Sequence, residues 1–180
     1  MKVTIKGMSS LNRKLGILPK LTNEAIYNAT NEVTETVKGY AESNLQSSVK
    51  HASGELSGSV KSETEIVDQK KVVGRVWTDK KQGIFREFGT GPVGQKSTKD
   101  LPSGITPVYT QKPWFFPVAS VSLDLTELYG MFKLTINNVE FYKTSGQPAR
   151  PWLYPALKKA PDIAPGIYKE HVQKKLKELK

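Results

Sequence analysis

The sequence contains no cysteine, which excludes disulfide bonds, cysteine-ligated zinc and thiol nucleophiles. Its two histidines, His51 and His171, have no second histidine at metal-ligand spacing, so we expect no metal site. Paired carboxylates for general acid–base catalysis are missing as well, since Glu63 and Glu65 share the hydrophilic face of a predicted strand. These absences predict a protein that has no metal, no cofactor and no enzymatic activity.

Long apolar runs are also lacking. No stretch approaches the roughly 20 apolar residues that a membrane-spanning helix needs. The first six residues, Met1–Lys6, do not form the apolar run of a secretory signal peptide. We therefore expect a soluble protein that is made in the cytoplasm and has no membrane partner.

Positive charge is abundant, with a formal net charge of +10. Residues 1–20 contain five lysines or arginines and no acid, and seven lysines from Lys158 onward face three acids. This distribution suits an anionic partner, such as DNA or an acidic protein surface. The more common interpretation is a solvated surface that keeps the chain soluble.

The longest periodic segment predicts a helix. Thr22 offers its N-cap, and apolar residues recur at three- and four-residue steps to about Leu45 or Val49. Before this helix, Val3–Ile5 alternates like a short strand, and leucines at near-helical spacing lead up to Pro19.

The middle of the chain predicts mainly β-structure. Alternating residues over 60–66 and 72–77 predict a β-hairpin, whereas residues 83–90 are ambiguous between a strand and a helical turn. Residues 91 to about 143 are interrupted by prolines yet rich in aromatics. That composition predicts a folded excursion of extended strands or a hairpin.

The C-terminal part predicts helices. Pro151 opens a short helix, Pro161 and Pro165 break it, and an amphipathic helix follows. The fold class we expect is α+β: a long N-terminal helix packed on a small antiparallel β-sheet, a β-rich insertion, and a C-terminal helix. We expect one domain over residues 1–180, with the inserted excursion at about 91–143.

Two motifs stand out in the middle of the chain. Gly89–Gly94 matches the bare GxGxxG spelling, but no helix-forming sequence follows its last glycine, so a glycine turn is the better interpretation than a nucleotide site. Glu87 is an acid in an apolar setting, between Phe85 and Phe88. A buried acid is costly unless it is paired, and Arg150 is the partner that we expect.

Three blocks of sequence, in this order, resemble the bacteriophage family known as gene-product-10-like tail components, also described as tail-completion or neck proteins of long-tailed phages. The first is the turn Ser53–Val60 (SGELSGSV) after the long helix, and the second is Phe85–Gly91 (FREFGTG). The third is Gly146–Leu157 (GQPARPWLYPAL), which has Trp152 where the family usually has phenylalanine. With their flanking elements, the blocks account for most of the chain.

The resemblance implies a structural virion protein of a tailed phage or prophage, located at the head–tail junction. It would complete the tail end or form part of the neck ring, as one of about six identical subunits packed head to tail. Its implied partners are copies of itself and neighbouring head-completion or stopper, tail-terminator or tail-tube proteins.

The resemblance also points to particular residues. Those implied as the structural or interface motif are Glu87, Phe88, Gly89, Thr90, Gly91, Arg150, Pro151 and Trp152. If the ring encloses DNA in passage, basic residues near the C-terminus could face it, and the candidates are Lys174, Lys175 and Lys177.

Two other functions are compatible with the sequence. The first is a basic, cytoplasmic nucleic-acid-binding regulator, which would bind DNA in a salt-dependent way and be absent from particles. The second is a small hydrolase that uses Glu87, an interpretation which the missing acid–base set disfavours.

Overall fold

A computed structural model describes residues 7–47, 53–68 and 71–179. The strand predicted at Val3–Ile5 and the histidine His51 lie outside these residues. The chain divides into two compact units, one formed by residues 1–79 and 155–180 and the other by residues 80–154. The excursion predicted at about 91–143 lies inside the second unit.

The fold class is α+β, as predicted. The helices and strands of the described ranges, in chain order, are α1 (Met8–Ser47), β1 (Val60–Val67), β2 (Lys71–Thr78), α2 (Gln82–Phe88), α3 (Gly91–Lys96), β3 (Trp114–Pro117), α4 (Leu125–Tyr129), β4 (Lys133–Ile136), β5 (Val139–Thr144), α5 (Leu153–Leu157) and α6 (Ala160–Lys177). Short 3-10 turns precede β1 and follow β3.

Helix α1 of the first unit is longer than predicted. It begins at Met8, not at Thr22, and continues through Pro19. Thr22 is not an N-cap, because its hydroxyl donates to the Leu18 carbonyl four residues back, 2.9 Å away. A threonine that satisfies its hydroxyl in this way is compatible with the interior of a helix. The predicted C-terminal end is close to the observed one at Ser47.

The predicted hairpin is confirmed and packs against α1. Strands β1 and β2 are antiparallel, with Val60 opposite Thr78 and Val67 opposite Lys71. A side chain at Gly74 of β2 would overlap the hydroxyl of Thr34 on α1, so the glycine permits a close approach of strand and helix. The first unit therefore builds its core from small residues of α1 at a tight helix–hairpin contact.

Helix α6 runs antiparallel to α1 on the same unit. The Tyr168 hydroxyl lies 2.6 Å from that of Thr30, and the Lys159 ammonium lies 4.2 Å from the centre of the Tyr40 ring. We predicted that Pro161 and Pro165 end the short helix and that the C-terminal helix follows them; instead the short helix α5 ends at Leu157, before either proline, and both prolines lie within α6. Pro161 is in the first turn, where its missing N–H has no helical partner to lose.

The second unit contains the predicted β-rich excursion as a three-stranded antiparallel sheet in the order β3–β5–β4. Tyr142 of β5 is fully buried, and its hydroxyl donates to Asp124 Oδ1 at 3.2 Å and accepts from the Leu125 N–H at 3.0 Å. Asp124 also caps α4 by accepting from the Thr126 N–H at 2.8 Å. A bond from the Lys133 ammonium, at 2.9 Å, is the main reason why the pKa of Asp124 falls to about 2.

Candidate functional site

The segment 83–90, ambiguous in sequence, forms helix α2 and a glycine turn. Helix α2 ends at Phe88, and Gly89 follows with a φ of 75°, a conformation that favours glycine. Gly91 also has a positive φ, of 59°, and begins α3. The GxGxxG spelling therefore covers the turn at Gly89 and Thr90 between α2 and α3 and the first four residues of α3, which continues past its last glycine, Gly94.

Glu87 lies on the buried face of α2 and is 7% exposed. Its Oε2 accepts from the N–H groups of Trp152 and Leu153 at 2.7 and 2.8 Å, and its Oε1 accepts from the Tyr154 N–H at 3.0 Å. These are N–H groups at the start of α5, which lack partners within their own helix. The carboxylate therefore acts as a cap supplied from 65 residues earlier in the chain.

The predicted pairing of Glu87 with Arg150 is wrong. Within the described part of the chain, no ion pair joins them; instead the Arg150 backbone N–H donates to the Arg86 carbonyl at 2.8 Å. The pKa of Arg86 is lowered mainly by burial, which disfavours the charged form. The nearby positive charge of Arg150 lowers it further. Backbone amides, and not the Arg150 guanidinium, therefore satisfy the buried carboxylate.

Trp152 anchors the same junction and is 2% exposed. Its indole Nε1–H donates to the Gly83 carbonyl at the start of α2, 2.9 Å away. Glu87 and Trp152 thus connect α2 and the 150–154 segment twice, once through each side chain. Pro151, between Arg150 and Trp152, is half-buried.

The glycine turn and the segment 145–149 are held together by backbone hydrogen bonds. Thr90 donates its N–H to the Gln147 carbonyl at 2.9 Å, and its hydroxyl accepts from the Gln147 N–H at 3.1 Å. A Cβ on Gly89 would lie 2.7 Å from the Ala149 nitrogen, and one on Gly91 would lie 2.5 Å from the Ser145 carbonyl oxygen. Only glycine therefore permits these two backbones to approach so closely.

The structure thus brings the predicted motif residues Glu87–Gly91 and Arg150–Trp152 together, in one arrangement that we call the interlock: residues 82–97 with residues 145–154. Sequence reasoning gave no role to Gln147 or Ser97. The Gln147 side chain donates to the Phe85 carbonyl at 3.1 Å, and the Ser97 hydroxyl accepts from the Ala149 N–H at 2.8 Å. A turn-rich sequence such as SGQP indicates a loop, but not which backbone that loop will meet.

An apolar cavity of about 680 Å³ lies beside the interlock, within the second unit. Its lining includes Ile84, Phe85, Phe88, Tyr109 and Trp114. The Tyr109 hydroxyl donates to the Phe88 carbonyl at 3.0 Å and so ties the excursion to α2. The rim is open to solvent, since Ile84 is 63% exposed and Phe85 is 48% exposed.

The three candidate DNA-facing lysines of α6 differ from one another. Lys174 and Lys177 are exposed, whereas Lys175 lies 3.2 Å from Glu24 of α1 and 3.2 Å from Glu178. The hydrogen bond to Glu178 and then the one to Glu24 raise the pKa of Lys175. Lys175 therefore joins α6 to α1. Of the three lysines, Lys174 and Lys177 are the ones that are exposed to a partner.

Known proteins give no further guidance: no model of a protein family, no curated protein and no solved structure matches the chain. Among the described residues, no helix is both long enough and apolar enough to cross a membrane. The same residues contain no cluster of three histidine or acidic side chains that could hold a metal ion. The geometry of the interlock is that of a capped and tightly bonded scaffold.

Proposed function

We propose that this chain is a non-enzymatic structural protein of a tailed bacteriophage or prophage, located in the virion at the head–tail junction. It completes the tail end or forms part of the neck ring, as one of about six copies packed head to tail. The observation that carries the proposal is the interlock. Two of the three blocks that carry the resemblance form one substructure, in which Glu87 caps residues 152–154.

Exposed apolar side chains support an assembled state. Val108 is 96% exposed and Ile84 63%, and both line the open apolar cavity beside the interlock. Soluble monomers rarely expose large apolar patches, and apolar patches with polar rims usually mark protein–protein contacts. The partners that we propose are neighbouring copies and the head-completion or stopper, tail-terminator or tail-tube proteins next to them.

The distribution of charge supports a contact with DNA in passage. Lys174 and Lys177 are exposed on the last turns of α6. In a ring around DNA, they bind phosphates without reading sequence, and the contact weakens as salt concentration rises. Lys175 has a structural role in this proposal, because its ammonium is held by Glu24 and Glu178.

The proposal is tested by electron microscopy of lysates from a phage or prophage whose copy of this gene carries a stop codon. We expect DNA-filled heads beside separate tails, and normal virions when the wild-type gene is supplied in trans. Tail length in the lysate distinguishes an unfinished tail end from a missing neck ring. Joined, infectious virions that lack the protein would overturn the proposal and favour the cytoplasmic nucleic-acid-binding regulator.

The DNA contact is tested separately, by charge reversal of Lys174→Glu with Lys177→Glu. We expect lower infectivity and leakage of DNA from assembled particles, with the protein still incorporated. Lys112→Glu is the matched control, since it reverses an exposed charge on the other unit. If the double variant retains DNA as well as the control does, the basic end of α6 does not face DNA.

A further inference from the structure

The first turns of α1 carry an apolar stripe that the described residues leave largely exposed. Met8, Leu11, Leu15 and Leu18 follow one another at steps of three, four and three residues, so they share one face of the helix. Met8 is 47% exposed, Leu11 50% and Leu15 55%. We call these four residues the α1 stripe.

The stripe continues the buried face of the same helix. The alternating three- and four-residue steps continue through Thr22 to Ala25 and Ala29, which are 1% and 0% exposed. The change from buried to exposed follows from where α6 ends. Helix α6 runs antiparallel to α1, its Lys175 lies opposite Glu24, and it ends two residues later, so α1 extends beyond it. From Ala25 onward this face of α1 is buried within the unit. Before Lys20 the same face is exposed, because α6 does not extend that far.

The charge around the stripe defines the partner. Residues 1–20 contain five basic residues and no acid. Within the described part, Lys14 flanks the stripe beside Leu15, whereas Arg13 and Lys20 lie two residues from Leu15 and Leu18 and so face away from it. Two copies of this segment packed side by side would bring like charges together, which opposes pairing with itself. An acidic partner would instead neutralise the segment.

The shape of the stripe favours a protein over a lipid surface. Apolar residues at alternating three- and four-residue steps form the narrow seam through which helices pack together. Helices that lie in a membrane surface have a wider apolar face that commonly includes tryptophan or phenylalanine. The segment from Met8 to Lys20 contains no aromatic residue.

We propose that the α1 stripe is a docking surface for an acidic amphipathic helix of another protein. The partner helix packs its apolar seam against Leu11 and Leu15 and places its carboxylates near Lys14. This inference does not depend on the proposed function, because it rests on the exposure and charge of α1 alone.

The test uses the full-length chain and a synthetic helical peptide with leucines at alternating three- and four-residue steps and glutamates on both flanks. We expect saturable binding in fluorescence anisotropy, weakening as salt is added. Leu11→Ser with Leu15→Ser should weaken binding by about 100-fold or more, because two leucines lose their buried area. Lys14→Glu should weaken it by about 3- to 10-fold.

The matched control is Ile17→Ser. Ile17 is 43% exposed on the same helix, but it lies two residues from Leu15 and so faces away from the stripe. This variant should bind the peptide as the wild type does, and circular dichroism should show the same helix content in all variants.

Three kinds of outcome would overturn the inference. One is a lack of specific binding: either the acidic peptide does not bind, or a peptide whose flanking residues are lysines binds equally well. Another is self-association of the chain in sedimentation velocity that Leu11→Ser with Leu15→Ser abolishes, which would assign the stripe to a second copy. The third is binding to phosphatidylglycerol vesicles that depends on the same leucines while the peptide does not bind, which would assign it to a lipid surface.

Discussion

Replacing Glu87 by glutamine tests the central claim about the interlock. Glutamine has the shape of glutamate, but it has one acceptor oxygen and an NH₂ group that only donates. Placed at the Oε2 position, its oxygen keeps the bonds from Trp152 and Leu153. Its NH₂ group then faces the Tyr154 N–H, donor against donor, where the carboxylate accepted at 3.0 Å.

The size of the effect follows from the bonds that change. A hydrogen bond to a charged group contributes about 1.5–3 kcal/mol, and the two bonds that remain become neutral ones of about half that strength. An amide costs less to bury than a carboxylate, which offsets part of the loss. We expect Glu87→Gln to lower the free energy of unfolding by about 2 kcal/mol. For a chain of this length, that corresponds to a fall in Tm of about 4–8 °C.

The measurement is urea unfolding, combined with hydrogen exchange at residues 152–154. If those amides exchange through local opening, about 2 kcal/mol corresponds to roughly 30-fold faster exchange there. Glu63→Gln is the control, because Glu63 is exposed on β1, and it should change stability by less than about 0.5 kcal/mol. If the two variants unfold alike and residues 152–154 exchange as in the wild type, the capping argument is refuted.

Three further predictions concern the second unit. Gly89→Ala should destabilise it by about 3 kcal/mol or more in urea unfolding, because its φ is 75° and a Cβ would meet backbone at 2.7 Å; Gly58→Ala, which meets nothing within 4 Å, is the neutral control. Trp152→Phe should cost about 1–2 kcal/mol in the same assay, because it removes the indole bond and some buried area; an unchanged midpoint would contradict this. The pKa of Asp124, lowered from 3.8 to about 2 chiefly by Lys133, means that the folded chain binds fewer protons than the unfolded chain between these values. The stability contributed by Asp124 is therefore present above about pH 4 and lost as the pH falls to about 2, and Asp124→Asn should remove that part of the pH dependence.

Periodicity predicted the elements whose stabilising contacts repeat along the chain. The body of α1 and the hairpin of β1 and β2 have residues that return to one face at fixed steps, so the sequence alone indicates them. The residue preferences that mark helix ends were less successful as predictors. Thr22 and Pro165 were assigned to boundaries, yet the hydroxyl of Thr22 bonds back to Leu18 and Pro165 lies inside α6. Such residues favour helix ends without requiring them.

The sequence predicted which residues form the candidate site, but not the hydrogen bonds that connect them. Glu87 was recognised as an acid in an apolar setting, and it is buried. Its partners could not be read from sequence, because every residue except proline carries a backbone N–H and only the fold decides which three of them meet a carboxylate. Arg150 is the charged side chain that the sequence offers, but the amides of the residues after it bind the carboxylate instead. Gln147 likewise gives no signal in the sequence, since it bonds to the Phe85 carbonyl and to the N–H and hydroxyl groups of Thr90.

The interlock also explains how the chain accommodates a long excursion. The two parts joined by Glu87 and Trp152 are 65 residues apart, yet the entropic cost of closing a loop rises by only about 0.6 kcal/mol each time its length doubles. The excursion offsets part of that cost with its own sheet, in which Tyr142 is fully buried and its ring packs 5.5 Å from that of Phe116. Insertions or deletions in those loops of the excursion that contact neither its sheet nor α2 and α3 should therefore leave the interlock intact. Changes at Gly89 or Glu87 act on the interlock directly, because Gly89 lies against backbone atoms that leave no room for a Cβ and the Glu87 carboxylate accepts from three backbone N–H groups.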